Sequence, residues 1–180
     1  MDYKTKPIKR LELRKIAYWF RSLFKTRNKY RFDAIGAFEK IHSLFSQITV
    51  EVVEDDDLPE NVPARCVPDF NGNYHIEVKD SVYVGACDGI GGYRNHIVHE
   101  LSHAILCLLG FTPILERSFK DNEIPNRFES MEWQAKALCG EIMIPYEETK
   151  GLSKKKIMSY CQVSEASADM RLKLDKNISE

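Results

Sequence analysis

The five-residue segment His-Glu-Leu-Ser-His at residues 99–103 constrains this chain more than any other part of its sequence. On an α-helix, residues four apart lie on one face, so His99 and His103 can bind a single metal ion. Glu100 lies beside them, within reach of a water molecule at that ion, and it can take a proton from this water. The alternative is a surface helix that carries two histidines without binding a metal.

The neighbouring residues predict that this segment lies on a helix over residues 93–109. Gly91 and Gly92 precede this helix, and Gly110 and Pro113 follow it, as expected of helix boundaries. Apolar residues at helical spacing form a stripe for the core, and the two histidines lie on a different face that can border a cleft. The stripe consists of Ile97, Leu101, Ile105 and Leu108.

Two other residues near the segment have the chemistry of metal ligands. His96 lies one turn before His99. Binding the same ion from that position is geometrically awkward, so we expect His96 to support the site or to lie exposed. Cys107 lies one turn after His103 in an apolar run, which favours a buried structural thiol over a ligand.

A catalytic zinc site usually has three protein ligands and leaves the fourth position to water, so a third ligand is expected from a second helix. The segment 128–143 is the candidate for that helix. Glu132 is the first choice for the ligand, because small residues such as Ala135 let the helix approach closely, and Glu129 is its rival. On an isolated helix these acids, together with Glu141, would be ordinary surface carboxylates.

The run from Glu132 to Pro145 resembles the second signature of the ImmA/IrrE metallopeptidase family. That signature is an acid, two variable residues and Ala, followed by a mostly apolar helix that ends in a Leu/Met-rich stretch and Pro. The family's first signature is the His-Glu-x-x-His helix, commonly with Gly before the second His, where this chain has Ser102. The order and separation of the two signatures also fit. The resemblance covers residues 32–172, closely at the two motifs and loosely between them.

This resemblance implies that His99, His103 and Glu132 bind Zn²⁺, with manganese or iron as alternatives, and that Glu100 is the general base. It implies a zincin-like, gluzincin-type fold and a zinc endopeptidase. The expected substrate is a helix-turn-helix transcriptional repressor, so the protein would act as the anti-repressor of a prophage or mobile element. A non-catalytic repressor-binding regulator with a structural metal and a toxin-like hydrolase remain as alternatives. Direct nucleic-acid binding is not expected.

The charges of the chain are unevenly distributed. Residues 1–31 contain eleven Lys or Arg and two acids, whereas the rest contains fifteen basic and twenty-five acidic residues. Apolar residues are interleaved with the basic ones and predict an amphipathic helix over residues 8–25. This segment can be a helix packed on the body of the enzyme, a docking arm for a partner or a membrane-surface helix. We therefore divide the chain into a basic N-terminal segment, 1–31, and a metallopeptidase domain, 32–180.

The five cysteines are odd in number, widely scattered and free of any Cys-x-x-Cys pair, which favours a reducing, cytoplasmic compartment. The longest uncharged run, residues 101–115, is too short to span a bilayer, so no transmembrane segment is expected. The N-terminus also lacks the pattern of a secretory signal.

The remaining pattern predicts an α+β fold in which a small sheet packs on helices, with strands mainly early and helices late. A second helix is expected over residues 33–46, and three solvated acids mark a charged turn at 55–57. The segment 59–73 is expected to be a connection, 110–128 a loop that borders the cleft, and the C-terminal region two short helices. Extended segments are expected at residues 48–54, 75–79 and 82–84.

Overall fold

The computed structural model describes residues 2–24, 28–69, 71–114 and 126–176. In this part of the chain, eight α-helices and a three-stranded mixed sheet form an α+β fold, which confirms the expected class. The strands are β1 (Ile48–Val53), β2 (Ala64–Pro68) and β3 (Tyr74–Lys79). The helices are α1 (Arg10–Leu23), α2 (Ala34–Leu44), α3 (Asp80–Cys87), α4 (Gly91–Leu108), α5 (Met131–Met143), α6 (Tyr146–Thr149), α7 (Lys154–Cys161) and α8 (Glu165–Lys176).

The sheet has the strand order β1-β3-β2, so β3 is central and β2 is an edge strand. Strand β1 pairs with β3 in parallel and β2 pairs with β3 antiparallel, with Cys66 opposite Ile76. The prediction of a connection over residues 59–73 is wrong where β2 lies. Strand β2 is a short strand that ends at Pro68, and a Pro is tolerated on an edge strand, where its missing N–H need not serve a ladder.

The extended segment expected at residues 82–84 is wrong, because these residues lie inside α3. Val82 and Ala86, one helical turn apart, are both buried in the core, so the helical spacing satisfies both side chains. The N–H of Ser81, in the first turn, donates to the Asp55 carboxylate at 3.0 Å. These tertiary contacts outweigh the strand preference of the β-branched valines.

Helix α4 lies at the centre of the molecule and carries the His-Glu-Leu-Ser-His segment. Its predicted apolar stripe is largely confirmed, because Ile97, Leu101 and Ile105 are fully buried, although Leu108 at the end of the helix is only partly buried. One side of α4 packs on the sheet and α2, and another side packs on α5. The core therefore holds the helix firmly while its histidine face stays on a cleft.

Helix α1 packs against α5, and its residues Leu13, Ala17 and Phe20 belong to the same core cluster as α4. The basic segment therefore includes a helix that lies on the body of the protein. Helix α1 is shorter than expected and ends at Leu23. Within the described residues, no helix combines the length and apolarity needed to cross a membrane.

A buried ion cluster joins α1, α5 and α8. The fully buried carboxylate of Glu141 contacts Arg10 at 2.7 Å, Arg14 at 3.1 Å and Arg171 at 3.2 Å. Burial acts to raise the pKa of Glu141, but the three guanidinium groups outweigh it and hold this pKa below its ordinary value. Glu141 is thus a structural carboxylate and not the surface acid of an isolated helix.

The turn between α7 and α8 packs tightly on the start of α4. Arg94 is buried and donates to the side chain and the main-chain carbonyl of Gln162, which lies in the left-handed region at φ 53°. Gly91 makes this approach possible, because a Cβ at this position would lie 2.9 Å from the main chain of residues 162–164. The C-terminal helices are therefore fixed to the helix that carries the histidines.

Candidate metal centre

The structure brings His99 and His103 of α4 together with Glu132 of α5. The two Nε2 atoms are 3.2 Å apart, and the Glu132 carboxylate oxygens lie 3.1 Å from His103 Nε2 and 3.6 Å from His99 Nε2. The three donor groups lie within 4.8 Å of one another. Two donors about 2.0–2.1 Å from a tetrahedral zinc ion lie roughly 3.4 Å apart, so the observed spacing fits this ion.

The helical repeat explains the histidine pair. The rings of His99 and His103 lie one turn apart on the same face, with centroids 4.7 Å apart and an interplanar angle of 86°. Ser102, at the position where Gly is common in the resembled family, is fully buried and donates its hydroxyl to the carbonyl of Val98 at 2.7 Å. This hydrogen bond satisfies the extra polar group, so the small side chain fits beside the histidines.

The start of α5 determines where Glu132 lies. Ser130 caps this helix and accepts from the N–H of Trp133 at 2.9 Å. The carboxylate of Asp2 accepts from the hydroxyl of Ser130 and, at 3.1 Å, from the N–H of Glu132. The N-terminal segment also runs antiparallel to the residues before α5, where the N–H of Thr5 donates to a main-chain carbonyl at 2.7 Å. The first residues of the chain therefore hold the main chain of Glu132, the candidate ligand, in place.

Glu129, the rival ligand, does not belong to the cluster. It ends a short 3-10 turn, Arg127–Glu129, and its main-chain carbonyl is the acceptor for Thr5. The expected helix over residues 128–143 instead begins at Met131, one residue before Glu132. The change from a 3-10 turn to the α-helix directs the two acids differently, and only Glu132 meets the histidines.

Hydrogen bonds with His103 and His99 hold the pKa of Glu132 far below its ordinary value. Glu132 is therefore a carboxylate at neutral pH. Two imidazoles and one carboxylate are a donor set suited to zinc, and one that leaves a fourth position for water. The described residues thus bring together three groups that could hold one metal ion.

Glu100 is partly buried beside this cluster. Burial raises its pKa above the ordinary value, while the neighbouring His99 and His103 act in the opposite direction. The main-chain N–H of Cys66, on the edge strand β2, also faces this carboxyl group and stabilises its charged form. A carboxyl group with a raised pKa is better matched to taking up and returning a proton near neutral pH.

A cavity of about 290 Å³ opens beside the cluster, with Glu100, His103 and Glu132 in its wall. Edge strand β2 contributes Ala64, Arg65, Cys66 and Pro68 to this wall. Cys107 also lines it, but among the described residues the donor atoms within 4.8 Å of one another belong to His99, His103 and Glu132, so Cys107 lies outside the cluster. This agrees with the expectation of a structural cysteine.

Other residues near the motif lie away from the cluster. His96 is exposed, in agreement with one of the two expectations for it, and lines a different cavity with Lys79. Tyr93 packs closely over Gly85, and Arg94 donates to Gln162. These two residues therefore contact other parts of the fold, although they are close to the motif in sequence. Of the loop expected to border the cleft, residues 115–125 lie outside the described part of the chain.

Sequence reasoning missed Asp2 and Cys66. The contact between Asp2 and Glu132 spans 130 residues, and no local pattern points to it. A comparison of the chain with protein-family models finds no match, and a comparison with curated proteins finds no matching sequence. The resemblance to the ImmA/IrrE family therefore depends on the two motifs, whose candidate ligands lie within 4.8 Å of one another in the folded chain.

Proposed function

We propose that this protein is a zinc-dependent endopeptidase with a zincin-like fold. The observation that carries the proposal is the convergence of His99, His103 and Glu132 within 4.8 Å, with Glu100 in the wall of the adjoining cavity. A purely structural metal site has no need of a partly buried carboxyl group beside it. The position of Glu100 therefore favours a hydrolase over a metal-stabilised binding protein.

When bound, a zinc ion would polarise the scissile carbonyl and lower the pKa of a water molecule from about 15.7 towards neutrality. Glu100 takes the proton of the attacking water and returns it to the leaving amine. His99 and His103 contribute neutral donors, and Glu132 contributes one negative charge that moderates the Lewis acidity. The position of Glu100 in the wall of the cavity beside His103 and Glu132 suits both halves of this proton transfer.

The position of strand β2 supports an extended peptide as the substrate. This strand is at the edge of the sheet, and residues from it line the cavity beside Glu100. An exposed strand edge can pair with an extended chain through main-chain hydrogen bonds, which bind peptides largely irrespective of their sequence. The same geometry would place a scissile bond next to the metal ligands. The choice of a helix-turn-helix repressor as the substrate follows from the resemblance to the ImmA/IrrE family.

The metal content of the purified protein tests the proposed ligands. We expect about one zinc ion per wild-type chain and little in Glu132→Ala, because the variant lacks one of three protein ligands. Glu129→Ala is the matched control, since it removes a neighbouring carboxylate that lies outside the cluster, and it should retain the metal. Elemental analysis of the three proteins gives the answer. Full zinc retention by Glu132→Ala would contradict the proposed site.

The role of Glu100 is tested with Glu100→Gln, which keeps the shape of the side chain but cannot accept the proton. We expect this variant to bind zinc as the wild type does and to cleave at least about a hundredfold more slowly, the usual contribution of a general base. The substrate is a helix-turn-helix repressor encoded in the same genetic element, and mass spectrometry of the products gives the cleavage site. Unchanged cleavage by Glu100→Gln would refute the mechanism. Derepression by this variant equal to that by the wild type would instead favour a non-catalytic regulator.

A further inference from the structure

A second cavity, of about 430 Å³, adjoins the candidate metal centre through His99. It is a groove between α5 and α8, with His99 of α4 in its wall. His103 lines the first cavity, so each cavity borders one of the two histidines. We call the second cavity the α5–α8 groove. Its apolar wall includes Trp133, Ala137, Gly140, Ala166, Met170 and Leu174.

Small residues on α5 create the space in this groove. A Cβ at Gly140 would meet only the Arg10 guanidinium, at 3.9 Å, so no main chain fills the position in front of this residue. On the opposite wall, Met170 of α8 is 58% exposed although it lies beside an apolar groove. Flexible methionine side chains adapt to different apolar partners. The groove is therefore shaped to receive an apolar side chain from another molecule.

The charges around the α5–α8 groove all have one sign. Arg10, Lys136 and Arg171 are the charged residues in its wall among the described part of the chain, and all three are cations. The acidic partner of Arg10 and Arg171 is the fully buried Glu141, which Arg14 shares, and the Lys136 ammonium lies 3.4 Å from the carboxylate of Glu132. The exposed positive charge next to the apolar surface comes from Lys136, whose side chain is 70% exposed, and partly from Arg10, whereas Arg171 is buried. An occupant with a carboxylate beside an apolar side chain complements it.

We infer that the α5–α8 groove binds the substrate chain on the His99 side of the scissile bond, and that it selects a large apolar residue adjacent to an acidic residue. This inference depends on the proposed peptidase function, because the groove adjoins the site through His99. A peptide that crosses the metal centre leaves the first cavity and enters this groove. The apolar side chain lies between α5 and α8, and the acidic side chain meets Lys136 and Arg10.

The first experiment measures binding without cleavage. Zinc-loaded Glu100→Gln protein is offered a library of fluorescein-labelled octapeptides, and bound peptides are identified and measured by fluorescence anisotropy. We expect enrichment of Leu, Met or Phe next to Asp or Glu. Ala166→Phe, an exposed position in the groove wall, should weaken the best peptide about tenfold or more, because the new ring occupies the space of the buried side chain. Ser159→Phe, which adds the same ring to exposed surface on α7, should change the affinity less than twofold.

The charge preference has its own variants. Lys136→Gln removes a cation from the groove wall and should abolish the preference for Asp or Glu over Asn or Gln in the same library. Lys40→Gln removes an exposed cation of α2 and should leave the preference intact. A preference that survives Lys136→Gln unchanged would overturn the acidic part of the inference. Equal affinities of the Ala166→Phe and Ser159→Phe proteins would overturn the apolar part.

Cleavage of the same library by the wild-type protein separates this inference from the proposed function. Groove-dependent binding without any cleavage would leave the groove as a peptide site and reject the peptidase. Cleavage whose sequence preference is unchanged by Ala166→Phe would keep the peptidase and reject the groove. If the groove instead holds a second copy of the chain, Ala166→Phe will change the molecular mass in solution and not the affinity for peptides. That result also overturns the inference.

Discussion

At the scale of single residues, Glu141 shows how strongly tertiary context changes a side chain. The sequence leaves it as one of several acids on a helix, but the structure buries it among Arg10, Arg14 and Arg171. Removing one member of such a cluster leaves the other charges buried without compensation, which typically costs about 3–5 kcal/mol. The stabilising contribution of Glu141 therefore belongs to the fold and not to the metal centre.

We expect Glu141→Gln to lower the free energy of unfolding by about 3 kcal/mol, measured by urea denaturation. The matched control is Glu147→Gln, because Glu147 pairs with Lys150 on the surface and is 54% exposed. A surface pair contributes about 0–1 kcal/mol, so this variant should be nearly as stable as the wild type. Equal stabilities of the two variants would contradict the structural role of the cluster.

The lowered pKa of Glu141 also fixes the sign of its pH dependence. The folded protein holds this carboxylate charged at pH values where the unfolded chain, with a pKa of about 4.3, binds a proton. Its contribution to stability is therefore complete above about pH 4.3 and is lost as the pH falls through the lower pKa of the folded state. The difference in stability between wild type and Glu141→Gln should shrink in this acidic range.

At the scale of elements, the contact between the N-terminal segment and the start of α5 supports the candidate metal centre. Asp2 accepts from Ser130 and from the N–H of Glu132, so it fixes the first turn of the helix that carries the proposed third ligand. We expect Asp2→Ala to lower the zinc affinity about tenfold, the lower end of the loss seen when groups that orient ligands are removed. Competition with a zinc-binding dye measures this affinity.

Asp33→Ala is the matched control for Asp2→Ala. Asp33 caps α2 by accepting from the N–H of Gly36 at 3.0 Å, and it lies on an element that carries none of the three candidate ligands. Its loss should cost about 1 kcal/mol of stability without a change in zinc affinity. A similar loss of affinity in both variants would show that general destabilisation, and not the position of Glu132, causes the effect.

The helices and strands also show which features local sequence patterns predict and which they do not. The apolar stripe of α4 is readable because Ile97 and its partners repeat at the period of one helical face. The meeting of His99, His103 and Glu132 can be predicted because these residues lie in two short motifs. Local patterns do not predict strand β2 or helix α3. Strand β2 depends on pairing with β3, and helix α3 depends on the burial of Val82 and Ala86. Likewise, the groove requires the spatial meeting of α5 and α8, which no local pattern contains.

At the scale of the whole molecule, α1 decides whether the basic segment is part of the folded body of the protein or a separate arm. Its charged face meets α5 through Arg10 and Arg14, which share Glu141 with Arg171 of α8. Its apolar face enters the common core through Leu13 and Phe20. A helix with both kinds of contact should unfold together with the rest of the protein. This expectation distinguishes a packed helix from a docking arm, because a docking arm would unfold without lowering the stability of the core.

We therefore expect Leu13→Ala to lower the free energy of unfolding by about 2–5 kcal/mol, because a fully buried leucine leaves a cavity when it is shortened. Leu11→Ala is the matched control on the same helix, since Leu11 is 61% exposed and its shortening should cost at most about 0.5 kcal/mol. Urea unfolding followed by circular dichroism and by tryptophan fluorescence should give one coincident transition for each protein, because α1 shares its core with α4. Two separate transitions, or equal stabilities of the two variants, would mean that α1 is an independent arm. A single transition, with a large loss of unfolding free energy only in Leu13→Ala, would show that the basic helix is part of the common core. The arginines of this helix would then act mainly by pairing with the buried carboxylate of Glu141.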